Sequence, residues 1–155
     1  HDRVAWPTEC PQITAVEDAS MENPSVISHI SIGTNDLDRA AAFYDAVLAT
    51  VGARRMIEHA EAIAWGKAFP EFWVNTPYDD EPSTVGNGTH VAFFAHSREE
   101  VDAFHAAALA HGGTDNGRPG GRPEYGAPFY GCFALDPDGH KIEATFWDTD
   151  LAGKA

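Results

Sequence analysis

The chain has 155 residues with a 43% apolar share, which is the size and composition of one compact globular domain rather than a disordered or multi-domain chain. Its formal charge of −14, from 24 acidic residues against 10 Lys and Arg, argues against nucleic acid as a partner, because that affinity comes chiefly from cations that neutralise phosphates. No apolar run approaches the roughly 20 residues that cross a bilayer, and no basic start followed by an apolar stretch marks a secretory signal. A cytoplasmic protein that takes small molecules, with no membrane contact, is the expectation. Cys10 and Cys132, its only cysteines, provide neither a disulfide framework nor a four-cysteine zinc site.

Residues 1–24 show no sustained period and contain Pro7, Pro11 and Pro24. They read as an irregular extension, either added sequence or a native appendage. The first strand, VISHISI, alternates so that Ile30 and Ile32 share one face while His29 and Ser31 take the other. A helix is expected from about Asp36 to Val51, with Leu37, Ala40, Ala41, Tyr44, Val47, Leu48 and Val51 at helical spacing and Gly52 as a left-handed stop. Further strands are expected at 55–59, 63–66 and 72–75.

The pattern then recurs. An offset of 61 lays residues 29–52 on 90–113 and aligns His29 with His90, Phe43 with Phe104, Leu48 with Leu109 and Gly52 with Gly113. In THVAFF, Val91 and Phe93 belong to the helix side and His90 to the opposite face. Ser97 and Glu100 form a capping box, and Val101, Phe104, Ala108 and Leu109 make the buried stripe of the second helix. The Gly- and Pro-rich segment 117–128 reads as a long shaped loop. Strands are expected at 129–135 and 141–146, joined by a turn at Asp136-Pro137-Asp138-Gly139.

The fold class that follows is α+β: two tandem βαβββ modules forming a curved mixed sheet, a cup, with the helices outside. Module one covers about 25–78 and module two about 87–148 within a domain at 25–149, followed by a tail at 150–155. In KIEATF, Ile142, Ala144 and Phe146 take the apolar face and leave Glu143 on the histidine side. If the modules pair into one cup, His29, His90 and Glu143 line it. Two imidazoles and a carboxylate suit one divalent ion, zinc, manganese, iron or nickel, with coordination positions left open. The alternative for each histidine is a strand residue hydrogen-bonded to its neighbours. A carboxylate facing a cup interior, however, is costly unless paired or bound to a cation.

Three stretches, SHISIGTNDLDRAAAFYDAVLATVGA, GTHVAFFAHSREEVDAFHAAALAHGG and FYGCFALDPDGHKIEATF, resemble the vicinal oxygen chelate superfamily over about residues 26–148. That superfamily holds glyoxalases, fosfomycin-resistance proteins, extradiol dioxygenases and bleomycin-resistance proteins, and the likeness is closest to its broad glyoxalase-like group. Carried over by position, the family's metal ligands fall on His29, His90 and Glu143. Glyoxalases place a fourth ligand, commonly Glu, in the last strand of the first module, where this chain has Trp73, with Glu71 two residues earlier. The three-ligand set resembles the fosfomycin-resistance thiol transferases and extradiol dioxygenases more than ordinary glyoxalases. The resemblance also implies a homodimer, in some members with modules exchanged so that two chains complete each cup.

Around the ligands, Trp65 and Trp73 are candidates for an aromatic wall against a flat substrate, and Arg122 for an anionic substrate group. Tyr125 and Tyr130 are the candidate proton-moving residues, although the strand face of Tyr130 is open between cup and helix side. Two functions follow. One is a metal-dependent enzyme whose substrate chelates the ion through adjacent oxygens, as an isomerase or lyase, thiol transferase or dioxygenase. The other is a sequestering protein of the bleomycin-resistance type for a flat or cationic molecule.

Overall fold

The computed structural model describes residues 25–152, so readings that fall on 1–24, Cys10 among them, lie outside the described residues. The chain runs β1 (Ile30–Gly33), α1 (Leu37–Ala49), β2 (Arg54–Glu58), β3 (Ala62–Gly66) and β4 (Phe72–Asn75). It then repeats as β5 (His90–Phe94), α2 (Arg98–Ala110), β6 (Thr114–Gly121), β7 (Phe129–Leu135) and β8 (Lys141–Trp147), and closes on the short α3 (Thr149–Ala152). Each module forms a four-stranded sheet of the same order, β1-β4-β3-β2 and β5-β8-β7-β6. In each, the first strand pairs in parallel with the last, and the other neighbours pair antiparallel. The α+β class with two tandem βαβββ modules is therefore as expected. The sheets remain two, with no backbone ladder between them among the described residues.

The helices form where the sequence provides caps and an apolar stripe. Asp36 accepts from the Arg39 amide at the start of α1, and Ser97 accepts from the Glu100 amide at the start of α2. The Glu100 carboxylate reaches back to the His96 amide rather than to that of Ser97. Both helices span 13 residues, and each is followed by a left-handed glycine, Gly52 (φ 80°) and Gly112 (φ 95°). Gly113, which the repeat aligns with Gly52, serves close packing instead: a Cβ there would lie 2.7 Å from the Ala108 carbonyl oxygen.

Each helix covers the apolar face of its own sheet. Phe43, Tyr44, Val47 and Leu48 of α1 and Val101, Phe104 and Ala108 of α2 are buried, whereas Leu109, expected in the stripe, is 43% exposed because α2 turns it outward. The two cores join through aromatic rings, Phe72 on Phe93 at 5.1 Å and Phe93 on Phe104 at 5.9 Å between centroids. No helix of the described residues is long and apolar enough to cross a membrane.

The segment expected as a loop from 117 departs from that reading, since its first part belongs to β6. Thr114–Gly121 pairs with β7 through two register shifts, and only the stretch after Gly121 leaves the sheet. An edge strand needs hydrogen bonds on one side only, so it tolerates Pro119 and the glycines that made this stretch look unstructured.

The turn between β7 and β8 lies where the sequence puts it, with the Gly139 amide donating to the Asp136 carbonyl oxygen at 2.9 Å. It also locks module two onto module one. The Asp138 carboxylate, 4% exposed, accepts from Thr34 Oγ1 at 2.5 Å, the Asn35 amide at 3.1 Å and Arg39 Nη2 at 3.0 Å. Asp136 Oδ2 accepts from the buried Tyr44 hydroxyl at 2.7 Å, and His140 Nε2 lies 2.7 Å from the Gly33 carbonyl oxygen.

Hydrogen bonds to a buried carboxylate contribute about 1.5–3 kcal/mol each, and their loss leaves donors stranded. Asp138→Ala is therefore expected to lower unfolding free energy by about 2–4 kcal/mol in urea titrations. Burial, with the neighbouring Asp136 carboxylate second, raises the Tyr44 phenol well above its ordinary 10.0. Above about pH 10 the unfolded chain thus loses a proton that the folded chain keeps, and stability falls as pH rises. Denaturant titrations at rising pH should show part of that slope disappear in Tyr44→Phe.

Candidate functional site

The faces of the sheets turned away from the helices carry the histidines and the carboxylate that the sequence singles out. His90 opens β5 and Glu143 sits mid-way along β8, two register positions apart, since His90 pairs with Lys141 and Ala92 with Glu143. Their side chains meet: His90 Nε2 lies 3.1 Å from Glu143 Oε2. The imidazole is 45% exposed and the carboxylate 8%, so the pair has one buried member and one at the open surface. Thr145 Oγ1 donates to Glu143 Oε1, which leaves both carboxylate oxygens engaged. Phe133 flanks the imidazole edge-on, with ring centroids 6.3 Å apart.

His29 directly precedes β1, exposed on the corresponding face of sheet one. Its ring lies 6.5 Å from that of Trp73 in an edge-on arrangement, and Nδ1 is 3.1 Å from Ser28 Oγ. The registers make the two modules directly comparable. Ser31, two residues after His29, pairs with Trp73, and Ala92, two residues after His90, pairs with Glu143. Trp73 thus holds in module one the place that Glu143 holds in module two. The structure brings His90 and Glu143 together, but no group of three His, Cys, Asp or Glu side chains able to hold a metal gathers among the described residues of one chain. His29 is therefore not gathered with the other two.

Four other sequence candidates take different places. Trp65, read as cup wall, is fully buried against α1, its ring 5.7 Å from that of Tyr44 and its Nε1 donating to Asp45 Oδ1 at 2.8 Å. The alternation along β3 decides this, since Trp65 shares a face with Ile63, and Trp65 is core rather than substrate contact. Tyr130 also belongs to the helix side: its hydroxyl donates to Asp102 of α2 at 2.9 Å, and burial followed by that carboxylate raises its pKa. A phenol held there does not serve chemistry on the open face. Arg122 donates to the carbonyl oxygens of Arg118 at 2.8 Å and Gly121 at 3.4 Å, fastening its own loop. Tyr125 is 55% exposed and packs edge-on against Phe129, which meets Trp147 edge-on in turn. Trp147 is four residues, about 13 Å of strand, from Glu143.

Sequence reasoning missed the partner that holds Glu143, although Thr145 was visible two residues on along the same face. It also left His105 without a role, where the structure pairs its Nε2 with Asp115 Oδ1 at 2.8 Å, and this contact leads the causes that lower the Asp115 pKa.

The profile of the Glyoxalase/Bleomycin resistance protein/Dioxygenase superfamily matches residues 26–144. The chain belongs to this superfamily. Among solved structures, a glyoxalase/bleomycin resistance protein from Albidiferax ferrireducens T118 is 38% identical, with a TM-score of 0.72 over 78% of this chain and 98% of that one. A glyoxalase/bleomycin resistance protein/dioxygenase family enzyme from Burkholderia phytofirmans PsJN is 20% identical, with a TM-score of 0.62 over 78% and 98%. A lactoylglutathione lyase from Agrobacterium tumefaciens is 21% identical, with a TM-score of 0.58 over 80% and 95%. The last two likenesses concern the fold alone. No curated protein matches the chain.

One nucleophile is closed off by burial. Cys132 is buried behind α2, with its Sγ 3.5 Å from the Val101 carbonyl oxygen, and desolvation pushes its thiol up to about 12. A Cys10→Ser variant is accordingly expected to resist alkylation by iodoacetamide at pH 8 and to take up one label per chain only in denaturant, read by mass spectrometry.

Proposed function

We propose that the protein is a divalent-metal-dependent enzyme of the glyoxalase superfamily, acting on a small organic molecule that chelates the ion through adjacent oxygens. The supporting observation is the His90–Glu143 pair. Adjacent nitrogen and oxygen ligands at about 2.1 Å from one ion stand about 3.0–3.4 Å apart in octahedral or tetrahedral sites, and these two atoms stand 3.1 Å apart. The donor set fits a borderline divalent ion such as zinc, manganese, iron or nickel. Thr145 fixes the carboxylate from its other oxygen, as outer partners of metal ligands commonly do.

His29 is the third ligand in this reading. Because one chain does not gather it with His90 and Glu143, it is supplied by module one of a second copy, which makes the working unit a homodimer with sites shared between chains. A bound ion would polarise the substrate's oxygens and stabilise the negative charge that develops on them. Trp73 beside His29 and Phe133 beside His90 give the site apolar flanks, which exclude water and orient a flat substrate. Tyr125, exposed on the loop after β6, is the remaining tyrosine candidate, and within one chain it stands by Phe129 and Trp147, about four strand residues along from Glu143.

Elemental analysis of purified protein should find about one transition-metal ion per chain, lost in His29→Ala, His90→Ala and Glu143→Ala. Protein that stays metal-free after reconstitution with manganese, iron, nickel or zinc would instead favour a sequestering role. Sharing between chains has its own test. Mixed dimers of His29→Ala with Glu143→Ala chains would contain one intact set of ligands and regain metal binding, whereas sites internal to each chain would stay empty.

A further inference from the structure

Beside His90, and apart from the ligand atoms, the chain builds an open cavity of about 400 Å³ lined by Val85 to Thr89, His90, Gly139 and Lys141. Its floor is a tight turn, with the Thr89 amide donating to the Gly86 carbonyl oxygen at 3.1 Å. Gly88 takes a left-handed conformation there (φ 88°). Among the described residues, the backbone N–H groups of Gly86, Asn87 and Gly88 donate to no acceptor. Successive amides with no protein acceptor, exposed here to solvent, are the groups from which an anion-binding concavity is built.

Lys141 adds the charge. It is half-buried, its Nζ lies 4.5 Å from the centroid of the Phe133 ring, and it makes no ion pair among the described residues. It is the one Lys or Arg among the described residues that line the cavity, on a chain whose net charge is −14. The nearest carboxylates in sequence are otherwise engaged: Glu143 by His90 and Thr145, and Asp138 by Thr34, Asn35 and Arg39.

We infer that this cavity is a subsite for the oxyanion group of a small molecule, held by the Lys141 ammonium and the amides of the 86–89 turn. The inference rests on the proposed metal site for its meaning. The ligand would be a molecule whose chelating oxygens meet the ion at His90 and Glu143 while a carboxylate or phosphate at its other end occupies the cavity. A local cation and oriented amides overcome the repulsion of an acidic surface because they act at contact distance, where screening and the distant charges count least.

The test uses the 15N-labelled full chain, stripped of metal on a chelating resin, titrated with sodium acetate and separately with sodium phosphate at constant ionic strength. Saturable shifts of the Gly86, Asn87 and Gly88 amides are expected. Lys141→Met should weaken them at least tenfold, Lys141→Arg should keep them, and Asn87→Pro, which removes one donor while suiting the second turn position, should weaken them several-fold. A response to acetate identifies a carboxylate site and a response to phosphate alone a phosphate site. No saturable shift, an equal response to uncharged acetamide, or undiminished binding by Lys141→Met would overturn the inference. Metal uptake by Lys141→Met, expected unchanged, separates its fate from that of the metal reading: each can fail with the other intact.

Discussion

The arrangement of the molecule depends on the acidic turn between β7 and β8 being buried against the start of module one. A carboxylate removed from water is costly unless its lone pairs are filled, and Asp138 finds a hydroxyl, an amide and a guanidinium on one short segment, Thr34 to Arg39. Asp136, whose pKa burial raises, finds the Tyr44 hydroxyl on the next turn of the same helix. Docking in any other position would strand these acids, so the contact is directional in a way that the Phe72–Phe93–Phe104 ring packing beside it is not. The turn fixes where module two sits, and the aromatic rings fill what that placement encloses.

That placement has a consequence for chemistry. With both helices and the inter-module contacts gathered on one side of the sheets, the opposite faces are free to carry polar groups. Glu143 is the most demanding of these, a nearly buried carboxylate on a strand whose neighbours Ile142 and Ala144 are fully buried. It is held in place from one oxygen by Thr145 and from the other by His90, and the imidazole reaches the surface. An arrangement needed only for stability would replace such a pair by apolar side chains at little cost. On this open face the pair is the feature that the proposed metal-binding role draws on.

Much of the fold was legible because it was written twice. The histidine strands, the caps at Asp36 and Ser97, the stripes through Tyr44 and Phe104 and the Asp-Pro-Asp-Gly turn all follow from local pattern, and local pattern survives in the structure. What the sequence could not convey was which side chains a strand face meets. Alternation separates Trp65 from Trp73 once Ile63 is known to face α1, but no local signal says which face of β7 Tyr130 occupies; its hydroxyl bond to Asp102 decides that. Strand β6 was hidden by Gly117, Pro119, Gly120 and Gly121, residues that disfavour a central strand and are acceptable at an edge. Joining three ligands into one site assumed that both modules close around one interior, and that is a tertiary property no strand pattern contains.

The duplication is most informative where it fails. Equivalent registers give module one His29 with Trp73 and module two His90 with Glu143, so the modules contribute unequally: one donor and an aromatic wall against two donors. Pairing two copies of module two across a two-fold axis would bring two Glu143 carboxylates toward one centre, which like-charge repulsion disfavours without a second cation. Pairing two copies of module one would yield two imidazoles and no anion to balance an ion. Only unlike modules combine into two imidazoles and one carboxylate. In a symmetric dimer of the proposed kind that combination would arise twice, once for each chain, and Trp73, which the register sets opposite Glu143, would add an aromatic side chain rather than a further donor.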